Sequence, residues 1–174
     1  MSEFVIKICL LGDAGVGKTS LVYRFIENRF SRDFKSTLGV NLLKKNVKIN
    51  DDDVSAQIWD LGGQQAYKKL RKLYLEGAQG ALMVFDVTSQ TSFDNLEDWK
   101  NSLLEVRGEV PFILIGNKID LEANQVISEK QAKAFANSID VPLLLTSAKT
   151  GESVEEAFKE LIGLIVDEMK ERDE

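Results

Sequence analysis

Eight residues near the N-terminus combine glycines, a lysine and a hydroxyl side chain in a spacing that suits phosphate chemistry. Residues 12–19 read Gly-Asp-Ala-Gly-Val-Gly-Lys-Thr and fit the pattern G-x-x-x-x-G-K-[ST]. The glycines let the backbone bring its N–H groups close to phosphate oxygens. Lys18 can supply a charge to the β- and γ-phosphates, and the Thr19 hydroxyl is placed to bind Mg²⁺. We therefore interpret the segment as a phosphate-binding loop rather than a glycine-rich turn without a ligand.

The segments on either side are those that such a loop needs. Residues 4–11 form an apolar run of strand length, as expected for a parallel strand buried on both faces. Residues 20–26 place apolar side chains at helical spacing. This order of strand, loop and helix supports the phosphate-binding interpretation.

The bulk composition is that of one globular domain, and it excludes several kinds of chemistry. The 174 residues are 44% hydrophobic and 29% charged, which is enough for a single core over residues 1–174. With no histidine and one cysteine, the chain lacks the residues for Ser-His or Cys-His nucleophiles and for ordinary zinc sites. That cysteine, Cys9, lies in the first apolar run, so we expect a buried core residue in a reducing compartment.

Charge and targeting patterns predict a cytoplasmic protein. The net charge of −6 argues against nucleic acid or an anionic membrane as a partner. The N-terminus has no signal-peptide pattern, and no apolar run reaches membrane-spanning length. Ser2 cannot be myristoylated and residues 167–174 contain no cysteine to prenylate, so we expect no lipid anchor on this chain.

Short apolar runs alternate with helical patterns along the whole chain. This alternation predicts an α/β fold with a doubly wound, mostly parallel sheet of about six strands, flanked by about five helices. Strands are expected at residues 4–11, 40–50, 54–60, 81–87, 111–116 and 141–145. The short turn at residues 50–53 makes the second and third strands antiparallel. We interpret its aspartates as a solvated turn rather than a metal site.

Capping patterns and apolar stripes locate the later helices. Ser128 and Ser153 each stand three residues before a Gln or Glu, which predicts helices at 129–138 and from 154 onward. Two stripes at helical spacing are interpreted as core packing, so Trp99 is expected in the core and not as a binding platform. Their members are Phe93, Leu96, Trp99, Leu103 and Leu104, and Val154, Ala157, Phe158, Leu161, Ile165 and Met169. Residues 28–39 and 61–65 have no clean period and are predicted to be mobile.

Two polar motifs follow later strands, at the sheet edge where ligands of open α/β sheets bind. Residues 117–120 read Asn-Lys-Ile-Asp, and residues 146–149 read Thr-Ser-Ala-Lys. The Asp120 carboxylate can accept hydrogen bonds from the N1–H and the N2 amine of guanine, a pair that adenine lacks. At about 1.5–3 kcal/mol for each, guanine should be preferred on the order of a hundredfold or more. Lys118 can lay its stem along the base, and the Ala148 N–H can meet the guanine oxygen.

With these motifs in series, the sequence resembles the Ras superfamily of small GTPases over nearly its whole length. It looks most like the Rab branch, through residues 12–20 and through residues 36–40, Ser-Thr-Leu-Gly-Val. The resemblance implies a P-loop GTPase fold that binds GTP and GDP with Mg²⁺, and we expect a monomer. It also implies an exchange factor, a GTPase-activating protein and effectors that contact two segments, around Thr37 and Gly63.

Further site residues follow from the resemblance. Thr37 resembles a threonine that binds Mg²⁺ and meets the γ-phosphate, and Asp60 an aspartate that holds Mg²⁺ through water. Gly63 resembles the glycine whose N–H touches the γ-phosphate, Gln64 the glutamine that orients the attacking water, and Phe30 an aromatic residue beside guanine. The full nucleotide-binding set is Asp13, Ala14, Gly15, Val16, Gly17, Lys18, Thr19, Ser20, Phe30, Thr37, Gly63, Asn117, Lys118, Asp120, Ser147, Ala148 and Lys149. Lys18 and Gln64 are the predicted catalytic residues, and the metal residues are Thr19, Thr37 and Asp60.

Several positions depart from the Rab pattern. Ala14 stands where Ras has glycine and many Rab proteins have serine, and Phe34 lacks a tyrosine hydroxyl near the γ-phosphate. Residues 60–64, Asp-Leu-Gly-Gly-Gln, read like the Arf branch rather than the Rab-like Asp-Thr-Ala-Gly-Gln. The Rab cysteine tail is missing, either because this protein works without lipid or because the chain was cut.

The sequence thus favours a guanine-nucleotide switch with slow GTP hydrolysis, regulating membrane trafficking or signalling. A GTP-binding module with negligible hydrolysis is the alternative, because Ala14 and the altered segment around Gly62 could spoil water positioning. A P-loop kinase or ATPase is a third reading, which Asp120 disfavours.

Overall fold

A six-stranded sheet organises the part of the chain that the computed structural model describes, residues 3–31, 40–61 and 68–173. The strands are β1 (Glu3–Leu11), β2 (Val40–Ile49), β3 (Asp52–Leu61), β4 (Gly80–Asp86), β5 (Phe112–Asn117) and β6 (Leu143–Leu145). Their order is β2-β3-β1-β4-β5-β6, and among these strands only β2 and β3 pair antiparallel. The predicted fold class is confirmed.

Helices cover both faces of this sheet. They are α1 (Lys18–Glu27), α2 (Lys68–Leu75), α3 (Gln90–Asp94), α4 (Leu96–Arg107), α5 (Glu129–Ser138) and α6 (Val154–Arg172). The predicted helix after β4 is divided at Asn95 into α3 and α4, and a short 3-10 turn spans Glu122–Asn124. Within the described ranges, no helix has both the length and the apolarity to cross a bilayer.

Alternation along the strands divides the interior into two cores. In β1, Ile6, Ile8 and Leu10 face a core shared with α1 and α6, while Cys9 and Leu11 face one shared with α2, α4 and α5. This follows from the two-residue period of a strand, which sends successive side chains to opposite faces. A strand buried on both faces is therefore apolar throughout, as β1 is.

A thiol reagent is expected to modify Cys9 only when the fold opens. Cys9 is fully buried, and burial raises the pKa of its thiol to about 12. At pH 8, about one molecule in ten thousand would then carry the reactive thiolate. Labelling with a chromogenic disulfide across a denaturant series should track global unfolding, and rapid labelling of the folded protein would contradict this burial.

The turn between β2 and β3 is shorter than predicted. Strand β3 begins at Asp52, and Asn50, with φ of 54°, takes the left-handed conformation that Asn tolerates in tight hairpins. Asp52 is only 6% exposed and accepts a hydrogen bond from Lys170 of α6. The prediction of a solvated turn was therefore wrong for Asp52, because a cation from a distant helix offsets the burial of its carboxylate.

The two predicted helix caps differ in outcome. The Ser128 hydroxyl accepts a hydrogen bond from the Gln131 N–H at 3.1 Å, as the pattern predicts. Ser153 makes no side-chain cap, because its φ of 60° and ψ of 7° are left-handed and an N-cap needs extended backbone. Two further residues differ from expectation: Leu61 is a buried strand residue, and Leu104 is 39% exposed rather than in the core stripe.

Candidate nucleotide site

The parallel strands bring the predicted motifs to one edge of the sheet. β1, β3, β4, β5 and β6 run in the same direction, so their carboxyl ends lie together. The loop at residues 12–17 follows β1, and Asp60 lies at the end of β3. Asp86 and Asn117 end β4 and β5, and residues 146–149 follow β6. Residues more than 100 positions apart along the chain thus form one site.

The loop backbone requires glycine at two positions for steric reasons. Gly12 and Gly17 have φ of 140° and 100°, which side chains rarely tolerate. A Cβ on Gly12 would overlap the Val84 carbonyl oxygen, and one on Gly17 would overlap the Asn117 amide. The loop is therefore packed directly against β4 and β5, which fixes its backbone for a ligand.

Lys18 is buried inside the loop that it is predicted to serve. Its Nζ donates hydrogen bonds to the carbonyl oxygens of Gly12 at 2.7 Å and Asp13 at 2.9 Å, and the residue is 5% exposed. Burial lowers the pKa of Lys18 to about 8, although the carboxylates of Asp60 and Asp13 act in the opposite direction. A cation held so far from water is well placed to attract a phosphate.

Two of the predicted metal residues contact each other. The Thr19 hydroxyl, on the first turn of α1, donates to Oδ2 of Asp60, which is fully buried at the end of β3. Hydroxyl and carboxylate oxygens are hard donors of the kind that Mg²⁺ prefers, so this pair fits a magnesium ion. Thr37, the third predicted metal residue, lies outside the described residues.

Asn117 ties the phosphate loop to the second base motif. Its Nδ2 donates to the Val16 carbonyl at 3.0 Å, while its Oδ1 accepts from the Thr146 hydroxyl at 3.0 Å and the Ala148 N–H at 3.3 Å. The residue is 1% exposed. Asn117 therefore positions the surrounding loops through bonds that employ both ends of its amide.

Asp120 and Lys118 are also held by neighbours. The Ser147 hydroxyl donates to Oδ1 of Asp120 at 2.7 Å, which fixes the orientation of the carboxylate. The Lys118 Nζ donates to the Gly15 carbonyl at 2.7 Å and pairs with the Asp86 carboxylate at 3.0 Å. The stem of Lys118 thus bridges the base motif and the phosphate loop.

Several residues that support the site were not identified from the sequence. Arg24 of α1 donates from Nε to the Ala148 carbonyl at 2.8 Å and from a terminal nitrogen to the Lys149 carbonyl at 2.5 Å. On the opposite side, Asn95 and Trp99 donate to the Asp13 carboxylate. A buried indole N–H needs an acceptor, so the polar end of Trp99 was the one available clue.

The structure describes some of the remaining predicted site residues and not others. Ala14 and Gly15 are exposed at the loop, and Ser20 is half-buried on α1. Phe30 is partly buried against the core shared by α1 and α6. Gly63 and Gln64 lie outside the described residues, as do most of the two segments that were predicted to be mobile.

This chain is similar to a family of known proteins. The Ras family model matches residues 7–167. The chain is 40% identical over 166 residues to the Ypt/Rab-type GTPase YPT7 of Saccharomyces cerevisiae, which covers 90% of this chain and 79% of that protein. It is 40% identical over 164 residues to the Ras-related protein RABA1g of Arabidopsis thaliana, with 94% and 76% covered. The Ras-related protein Rab7 of Cenchrus ciliaris is 40% identical over 163 residues, with 89% and 79% covered. The resemblance is confirmed, and the chain belongs to the Ras family of small GTPases, on its Rab branch.

Proposed function

We propose that this chain is a magnesium-dependent switch that uses the site described above to bind GTP and GDP and regulates membrane trafficking through effector proteins. As a Rab-branch member of the Ras family, it is a GTP-binding protein that hydrolyses GTP. One observation carries the site assignment: Asn117 bonds at once to the phosphate loop and to residues 146 and 148 of the base motif. The proposed phosphate-binding and base-binding segments are thereby connected by hydrogen bonds.

Charge stabilisation and positioning would carry the chemistry. The chain contains no histidine to act as a general base. Lys18 and the backbone N–H groups of the loop would stabilise the charge that develops on the phosphates, while Gln64 would orient the attacking water. Bound Mg²⁺, held by Thr19, Thr37 and, through water, Asp60, would neutralise phosphate oxygens. We expect slow intrinsic turnover, because this arrangement acts through charge stabilisation and positioning without a general base.

The alternatives are less well supported. A module without hydrolysis is not favoured, since relatives at 40% identity include one named as a GTPase. A kinase or ATPase remains disfavoured by Asp120.

We propose residues 1–174 as one GTPase domain, and the family match to 7–167 supports this extent. Cytoplasmic location and membrane association through partners or a further tail stay predictions, as do the identities of the exchange factor, the activating protein and the effectors.

The first test is to identify the nucleotide that the purified protein carries and to follow one turnover of GTP. Denatured protein should release mostly GDP, one molecule per chain. Gln64→Leu should slow single-turnover hydrolysis at least about tenfold, because the attacking water loses its orienting group. Gln65→Leu is the matched control and should hydrolyse at the wild-type rate. Release of GTP, with equal rates for wild type and Gln64→Leu, would instead favour the module without hydrolysis.

A further inference from the structure

Asp13, the second residue of the phosphate loop, is held by side chains far away in the sequence. Its Oδ2 accepts a hydrogen bond from Asn95 Nδ2 at 2.6 Å, and its Oδ1 accepts one from Trp99 Nε1 at 2.9 Å. Its backbone carbonyl accepts from Lys18 at 2.9 Å. The carboxylate is therefore directed toward α4 while the same residue contacts the buried lysine of the site.

The face of the Trp99 ring contacts a buried cation from α2. The guanidinium carbon of Arg71 lies 3.6 Å from the centre of the Trp99 ring, in cation–π contact. Arg71 also donates to Asp98 at 3.1 Å and to Ser102 at 3.0 Å, both on α4. It is 3% exposed, and only Lys18 is a comparably buried cation among the side chains described at residues 3–31, 40–61 and 70–173. Burying a charge so completely is tolerated only with good partners.

These contacts form a continuous chain from α2 to the phosphate loop. The cation on the face of the Trp99 ring withdraws electron density from the indole, which makes its N–H a stronger donor to the Asp13 carboxylate. Hydrogen bonds and charges linked in this way strengthen one another in a low-dielectric interior. Any displacement of Arg71 would weaken the bond to Asp13, and a displacement of Asp13 would act on Arg71 in the same way.

Helix α2 directly follows the segment of the sequence that contains the predicted catalytic glutamine. Helix α2 begins at Lys68, directly after residues 62–67, which contain Gly63 and Gln64. A second link from α2 to α4 is the ion pair of Lys72 with Glu105, but both side chains are more than 60% exposed. Exposed pairs contribute little, so the buried Arg71 is the stronger link between these helices.

Building on the proposed function, we propose that Arg71 is a positioning residue for GTP hydrolysis. Through Trp99 and Asp13 it couples α2 to the phosphate loop, and so holds in place the helix that follows Gln64 in the sequence. The coupling is reciprocal, because a link that lets α2 influence the loop also lets the nucleotide state influence α2.

The test compares two variants in which glutamine replaces a cation of α2. Arg71→Gln should slow single-turnover GTP hydrolysis about threefold to tenfold, the range expected when one contact of a coupling network is lost. Lys72→Gln removes the same charge one residue later, at an exposed ion pair, and should leave the rate unchanged. Arg71→Lys, which retains a cation over the ring, should restore part of the loss.

Trp99→Phe tests the same coupling independently, since it removes the N–H that reaches Asp13 but retains a ring for Arg71. Its loss of rate should equal that of Arg71→Gln, and the double variant should be no slower than either single one. Full additivity, or a wild-type rate in Trp99→Phe, would overturn the inference. This variant also decides the question should Arg71→Gln fail to fold.

A fluorescence measurement separates coupling from simple structural damage. The chain has two tryptophans, so a Trp59→Phe background leaves Trp99 as the single reporter. Its emission should change when GDP is replaced by a non-hydrolysable GTP analogue, and Arg71→Gln should abolish that change. An unaltered response in Arg71→Gln would overturn the coupling while leaving the proposed function intact. Failure of the wild type to bind any guanine nucleotide would instead count against the proposed function.

Discussion

Asp120→Asn is expected to move the preference of the site from guanine to xanthine. The carboxylate offers two acceptors to the N1–H and N2 amine of guanine, whereas asparagine presents one acceptor and one donor. Ser147 donates to Oδ1 of Asp120 at 2.7 Å, and the asparagine oxygen can keep that bond, which leaves its NH₂ at the other position. That NH₂ suits the C2 oxygen of xanthine. GDP affinity should fall on the order of a hundredfold, with xanthosine diphosphate binding more tightly than GDP.

Competition between labelled GDP and xanthosine diphosphate measures this change directly. Ser147→Ala is the matched control, because it removes the orienting hydrogen bond and leaves the carboxylate in place. It should weaken guanine binding without favouring xanthine. Undiminished selectivity for guanine in Asp120→Asn would show that another residue reads the base.

Local patterns were sufficient for most of the fold. The apolar run of β1 and the cap at Ser128 depend on neighbours within a few residues, so sequence spacing reports them faithfully. Asp52 and Ser153 were misjudged for the opposite reason. The partner of Asp52 is Lys170, 118 positions away, and the backbone of Ser153 is left-handed, so its side chain makes no cap. At Asp52, tertiary context overrode the local signal.

The same distinction holds for the site. Motif residues such as Lys18 and Asn117 could be named because their chemistry requires a fixed spacing from their neighbours. The residues that support them could not be named from the sequence, because their contacts are distant along the chain. Trp99 contacts Asp13 across 86 positions, and Arg24 contacts Ala148 across 124. No periodicity encodes such pairs. The residues that directly contact the ligand are therefore more predictable than those that hold them in place.

Lys18→Met is expected to abolish tight nucleotide binding without destabilising the nucleotide-free protein. Methionine matches the length of the stem but has neither charge nor donor, so the phosphates lose a charged partner. At about 1.5–3 kcal/mol for each hydrogen bond to a charged group, losing the contacts to the β- and γ-phosphates weakens GTP binding on the order of a thousandfold. GDP has no γ-phosphate, so its binding weakens about tenfold to a hundredfold. Burial lowers the pKa of Lys18 to about 8, because desolvation disfavours the cation, and an apolar side chain relieves that cost.

Thermal unfolding with and without GDP separates these two effects. Wild-type protein should gain stability with GDP, because a ligand that binds only the folded state shifts the equilibrium toward it, and Lys18→Met should gain less. Lys7→Met is the matched control: the Lys7 Nζ donates to the carbonyls of Tyr74 and Glu76, both at 2.7 Å, away from the site. It should keep the response to GDP. A Lys18→Met protein that is stabilised by GDP as strongly as the wild type would mean that the loop N–H groups hold the phosphates alone, and that the buried lysine serves the loop rather than the ligand.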